Sequence, residues 1–398
     1  MDIPYPSSVP LEETSLTARL LERGVNMPHP MSVFVDEDVN VERIAPGVVL
    51  HPGTRLEGGR LSIGPGCVIG GETPATVVDC QLGHDVALKG GFFKESVFLD
   101  ESACGSGAHV RPGCLLEEEA NIAHTVGLKQ TILFPFVTLG SLINFCDVLM
   151  AGGTSRKDHS EVGSSFIHFN FTPHADKATA SMFGDVPRGV LLDQPPIFLG
   201  GQGGVVGPCS ADFGTVLAAG GILREDMEEA GHLYRAGDAG GFRHQAYTPG
   251  RIRDPAGKLK ANLRFLGNLH ALDVWYRSFR RVRMAADPYR QRCWEGALEV
   301  ISSAKEERVR QLDKWIGLLG EDAVAIRAQW AQAGGRMRDV LLSPEPDEAL
   351  QDLAGRSGEG DSSVPGSVQR LGASEKNLVF SRLNAQVEAV VCLFKPFN

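Results

Sequence analysis

A six-residue period governs this chain. From Ile44 the sequence falls into the lines IAPGVV, LHPGTR, LEGGRL and, after one extra residue, IGPGCV and IGGETP, each opened by an aliphatic residue. The same phase returns, with slips, as LGHDVA at 82–87, VRPGCL at 110–115, LEEEAN and IAHTVG from 116, LGSLIN at 139–144, VGSSFI at 162–167 and VGPCSA at 206–211. Helices repeat every 3.6 residues and half-buried strands every two, so neither gives a period of six. A β-sandwich, with its two-residue alternation, fits poorly for the same reason. A short strand followed by a tight turn does fit. The opening aliphatic points inward, a small residue follows, and Gly or Asp supplies the turn dihedral. Three lines close one triangular coil, and stacked coils bury a continuous aliphatic column while pairing every strand with the coils on either side. The 47 glycines beside only 7% aromatic residues belong to this pattern of periodic turns.

From about Val35 to Leu223 the period predicts on the order of ten coils. Proteins with this repeat fold as left-handed parallel β-helices, and the resemblance implies that hand here, against the usual right-handed crossover rule. Polar, Pro- and Gly-containing interruptions at 151–161, 170–182 and 184–196 predict loops leaving the coils. Before the coils, residues 11–24 place Leu16, Leu20 and Leu21 on one side of a helix that Gly24 stops. After them, apolar residues at spacings of three and four over 258–284 and 289–319 predict two long helices in a hairpin. The expected organisation is an N-terminal cap helix (1–30), the β-helix (31–225), an α-helical extension (226–350), a flexible linker (351–375) and a C-terminal segment (376–398).

A net charge of −10 argues against phosphate-backbone binding, which needs clustered cations. The basic run YRSFRRVR at 276–283 is expected to be a solvated face or to dock on an acidic surface, which a neighbouring subunit would supply, rather than on RNA. The eight cysteines include no CxxC pair, so disulfides and structural zinc are not expected. The longest apolar runs span only a few residues, too short for a bilayer, and the acidic N-terminus lacks a signal-like pattern. A cytoplasmic protein is expected.

Residues 109–153, 166–179 and 197–226 resemble the acetyltransferase half of the bifunctional bacterial glucosamine-1-phosphate acetyltransferase/N-acetylglucosamine-1-phosphate uridylyltransferase. The carrying stretches include HVRPGCLLEEEANIAHTVGLKQ, FIHFNFTPHADKAT and IFLGGQGGVVGPCSADFGTVLAAGGILRED. The resemblance implies acetyl-CoA as co-substrate, an amino-sugar phosphate or nucleotide sugar as partner, and a homotrimer. It also implies roles for individual residues. Arg111 and Lys129 match basic residues that grip the sugar phosphate. Asn170 falls on the Asn of an NY pair, with Phe171 replacing the Tyr, and Gly200, Gly201 and Ala218 match small positions along the acetyl-CoA arm. Where the family carries its general-base His this chain has Ser141, and Asn144 replaces a nearby Tyr. The Lys expected after the NY pair slips to Lys177, beside Asp176.

A serine hydroxyl is a far weaker base than imidazole at neutral pH. His168 is therefore the first candidate for a relocated base, followed by His124 and His174. A β-helical metal site is rejected, because His159, His168 and His174 lack a close His pair. Residues 1–40 contain no Gly-rich loop of the LxAGxGTRM kind, so no uridylyltransferase domain is expected. The alternative to an acyltransferase is a noncatalytic sugar-nucleotide binder or scaffold that has lost the catalytic His.

Overall fold

The hexapeptide lines fold into a parallel β-solenoid with three faces. The computed structural model describes residues 15–170, 177–235, 252–320, 323–357 and 363–394. The first face is a 10-stranded sheet running from Val49–Leu50 to Leu233–Tyr234, and the other two faces share a 16-stranded sheet. Strands of the second face run from Phe34–Val35 through Gly127–Leu133 and Asn144–Met150 to Ile222–Leu223, and those of the third from Ser62–Ile63 to Ser210–Ala211. The Gly127 and Asn144 strands each bend round a corner, so their C-terminal halves lie in the third face.

Inward columns explain why every line opens on an aliphatic. On the first face Leu50, Ile69, Leu88, Cys104, Ile122 and Leu139 stack in register and are fully buried. On the second, Leu56, Val77, Phe93, Val110 and Leu128 do the same. Each such side chain stabilises the stack by about 1.5–3 kcal/mol.

The corner between the first and second faces is a ladder. The carbonyls of Ser106, His124, Ser141, Ser164 and Gly201 accept from the amides of Thr125, Leu142, Ser165, Gln202 and Gly220 in the adjoining coil, at 2.8–3.2 Å. Those donors are left-handed, with φ of 58° at Thr125, 61° at Leu142, 64° at Ser165 and 52° at Gln202. Such a conformation costs about 1–2 kcal/mol per non-Gly residue, and the regular ladder offsets it.

The flanks are helical: α1 (Leu16–Glu22), α2 (Val186–Gly189), α3 (Pro255–Trp275), α4 (Arg281–Met284), α5 (Pro288–Gly317), α6 (Val324–Leu342), α7 (Glu348–Arg356), α8 (Val364–Gln369) and α9 (Ala373–Val391). A π-helical turn, Tyr276–Arg280, joins α3 to α4. Leu20 of α1 is buried in the solenoid core, and Ser15 caps the helix through the Ala18 amide. The outward column of the third face, Ser62, Gln81, Val97, Leu115, Ile132 and Leu149, is buried as well. Helix α5 lies directly on its upper part, where a Cβ on Gly296 would fall 2.3 Å from Gln81 Oε1.

Charge fixes the rest of this docking. Tyr276 donates to Glu117 Oε1 at 2.6 Å, while Arg280 bonds both oxygens of Glu118, at 2.7 and 3.0 Å, and lies 3.1 Å from Glu117. Thus Arg280, in the basic run expected to be a solvated face or to meet a neighbouring subunit, meets the acidic corner of its own solenoid instead.

Two expected boundaries also differ from what is observed. The coils extend past 225, since Leu233–Tyr234 pairs with Val216–Leu217 and the long helices begin only at Pro255. Residues expected as a linker over 351–375 contain the end of α7 and all of α8. Leu353, Val364 and Val368 are buried in these helices, while 358–362 lie outside the described residues. Among the loops leaving the coils, Gly153–Ser155 and Asp158–His159 pair as a small antiparallel ribbon, and α2 follows Asp185.

Candidate functional site on the second face

Among the described residues the helices cover the third face and leave the outer surface of the second open. Its first outward column runs Phe92, His109, Gly127, Asn144, Ile167 and Gly204 in register. Gly127 makes a notch. A Cβ built there meets nothing nearer than Asn144 Cγ at 4.0 Å, and His109 and Asn144, both exposed, border it above and below. No left-handed φ requires glycine at this position, and no backbone crowds it.

Two groups of predicted residues bracket this notch. On the far edge, Lys129 stands two residues beyond Gly127, opposite Cys146. Arg111 follows Val110, the partner of Leu128, so both cations occupy one outward column of adjoining coils. Arg111 is exposed and Lys129 half-buried, and neither has an ion-pair partner among the described residues. A cavity of about 200 Å³ opens between this edge and α5, lined by Lys129, Gln130, Glu95, Gly113, Glu299 and Ser303 among others.

Asn170 directly follows the strand Ile167–Phe169, two coils beyond Lys129, its carbonyl accepting from Thr179 Oγ1 at 3.2 Å. Lys177 is exposed. Its carbonyl accepts from Arg308 Nη1 at 2.7 Å, and Arg308 Nη2 lies 3.1 Å from Asp147 in the strand that begins at Asn144. Asn262 of α3 donates to the neighbouring Ala178 carbonyl at 3.1 Å. Helices α3 and α5 therefore clamp the chain just after the predicted substrate segment. His174, Phe171 and Asp176 lie outside the described residues.

The near edge is the hydrogen-bonded corner. Ser141, Gly200, Gly201 and Ala218 all belong to it or abut it. A Cβ at Gly200 would meet the Ala219 amide at 2.3 Å and one at Gly201 the Ser164 carbonyl at 2.8 Å, so coil stacking alone demands glycine at both. Ser141 Oγ lies 2.9 Å from His124 Nδ1, and the Ser141 amide donates to Ser164 Oγ at 3.1 Å. His124 is exposed, and its Nε2 has no hydrogen-bond partner among the described residues.

His168, the first candidate for a relocated base, faces the other way. It pairs in register with Val205 in the inward column, is only 3% exposed, and its Nε2 bonds Ser181 Oγ at 2.8 Å. Burial pushes its imidazole down to about 4, against a smaller raising effect of Asp147. A buried neutral imidazole in the inward column is a core residue. Among the described residues no group of three or more His, Cys, Asp or Glu is arranged to hold a metal ion. Likewise, no described helix is long and apolar enough to cross a membrane.

Solenoid, repeat phase and open face together define the class, a hexapeptide-repeat β-solenoid of the acetyltransferase-like kind. In particular, the chain is 27% identical to the Bifunctional protein GlmU of Thermotoga petrophila over 208 residues, which are 52% of this chain and 41% of that protein. It is 29% identical to the Bifunctional protein GlmU of Streptococcus agalactiae serotype V over 163 residues, 37% of this chain and 34% of that protein. The chain thus spans less than half the length of these relatives. No family model matches it.

Proposed function

We propose that the second face binds an amino-sugar phosphate or nucleotide sugar and transfers an acyl group to it from acetyl-CoA. One observation carries this reading: two cations without an ion pair among the described residues, Arg111 and Lys129, stand on one edge of a face whose other edge is a corner of small residues, with the Gly127 notch between. Lys129 lies four residues beyond Thr125 of the corner, about 13 Å at about 3.3 Å per residue. Arg111 and Lys129 would hold the phosphate, one by paired hydrogen bonds and the other as a point charge. Asn144 and Asn170 would contact the sugar and acyl groups, with Lys177 beside them. The acyl thioester would lie along Gly200, Gly201 and Ala218. A homotrimer in the cytoplasm is part of the proposal, since neighbouring copies would wall the open faces.

A second reading is favoured by Ser141. With no imidazole at that position, the face would serve a noncatalytic sugar-nucleotide binder. Thermal shift with acetyl-CoA, coenzyme A, glucosamine 1-phosphate and UDP-N-acetylglucosamine tests binding by either reading, because a ligand of the native state raises the Tm by mass action. Stabilisation by both a sugar ligand and acetyl-CoA supports the acyltransferase, and stabilisation by a sugar ligand alone supports the binder. No shift with any of the four contradicts both.

A further inference from the structure

We infer that His124 is the proton acceptor of this site and Ser141 the group that positions it, so that the reacting centre lies one coil nearer the N-terminus than Ser141 itself. The inference rests on the acyl-transfer reading above and names the base that reading lacks.

The geometry is that of one residue holding another. Ser141 is itself fixed, through its amide to Ser164 Oγ at 3.1 Å and through its carbonyl to the Ser165 amide at 2.8 Å. Its hydroxyl meets His124 Nδ1 at 2.9 Å. With the Nδ1–H donating to Ser141 Oγ, the Nε2 of this exposed residue keeps its lone pair, with no partner among the described residues, and the hydroxyl remains an acceptor when the ring becomes charged. His124 and Gly127 belong to one coil, three residues apart, whereas Ser141 and Asn144 belong to the next. Neighbouring coils are about 4.8 Å apart. The base and the notch therefore lie at the same height in the stack, about 10 Å apart along the coil at about 3.3 Å per residue.

In the reaction the acceptor's nitrogen or oxygen attacks the thioester carbonyl as its proton passes to His124 Nε2. The carbon–sulfur bond then breaks, the thiolate takes that proton, and acylated sugar and free thiol leave with the imidazole restored. No other reactant is required.

The full chain is assayed with acetyl-CoA and glucosamine 1-phosphate, following thiol release, while calorimetry follows glucosamine 1-phosphate binding. His124→Gln should lower kcat by about 10²–10⁴-fold with KM little changed and remove the acid limb of the pH–rate profile. Added imidazole should restore part of the rate in His124→Gly. Ser141→Ala should lower kcat and move the acid limb, and Ser141→Thr, which keeps the hydroxyl, should recover both. A wild-type kcat in His124→Gln, or no response of His124→Gly to imidazole, overturns the inference. Wild type that binds the sugar phosphate yet releases no thiol overturns it too, while leaving the binding reading intact; absence of binding and turnover together removes both.

Discussion

His168 Nε2 lies 2.8 Å from Ser181 Oγ inside the solenoid, in the inward column that otherwise holds Val, Leu and Phe. Replacing it by Leu keeps the apolar column, and Ser181 Oγ still accepts from the Cys209 amide at 3.1 Å. His168→Leu should therefore fold and keep any transferase activity. Its pH behaviour should change in a defined direction. The folded imidazole sits near 4 against an ordinary 6.5, so between those values the unfolded chain takes up a proton that the native state refuses. Wild type loses stability across that window as pH falls, and the variant lacks this loss. Urea midpoints at pH 7 and pH 4.5 for both proteins check it.

Arg111→Ala and Lys129→Ala should each weaken binding of a phosphorylated sugar by about 1.5–3 kcal/mol, the range for a charge-assisted contact. Neither side chain supports the fold, so circular dichroism should be unchanged. Calorimetric titration of glucosamine 1-phosphate into each variant measures the effect, and equal affinity in all three proteins would mark both as mere turn residues.

Gly127→Val should leave the Tm within a few degrees of wild type, because the added side chain enters open space and the backbone needs no left-handed conformation. It should nevertheless abolish sugar-ligand binding by filling the notch. Retained binding in a folded Gly127→Val protein places the ligand elsewhere.

Glu117 gives the helical extension a pH response. Burial pushes its carboxyl up to about 7, with Arg280 acting against the rise and Glu118 adding to it. Its folded pKa lies above the ordinary 4.5, so its native state is favoured below about 4.5 and progressively less as pH rises to about 7. Glu117→Gln should remove that decline and gain on wild type between pH 5 and pH 8 in urea midpoint. Arg280→Met leaves two buried carboxylates without their cation and should cost about 3–5 kcal/mol.

Much of this arrangement is legible in the repeat phase. Counting six from Val162 lands on His168 and counting six from Ile122 lands on Leu128, both inward positions, which leaves Lys129 outward. The same count puts His124 in IAHTVG and Ser141 in LGSLIN at the third place of their lines, the shared corner where they meet. What periodicity does not carry is contact between distant elements. Arg308 reaches Asp147 and Lys177, and Arg280 reaches Glu118, across separations of more than 130 residues that no local pattern links. Helix α8 is hidden for a similar reason, since Val364 and Val368 become helical by burying against a core that local sequence does not show.

The most direct measurement is product formation by the full chain with acetyl-CoA and glucosamine 1-phosphate, read by mass spectrometry beside coenzyme A release. Wild type should yield acetylated sugar phosphate and coenzyme A in equal amounts, and the Arg111→Ala/Lys129→Ala double variant should yield at least about 100-fold less at subsaturating acceptor, as the loss of two charge-assisted contacts requires. A wild-type protein that binds the sugar phosphate through those residues and forms no acetylated product contradicts acyl transfer on this face.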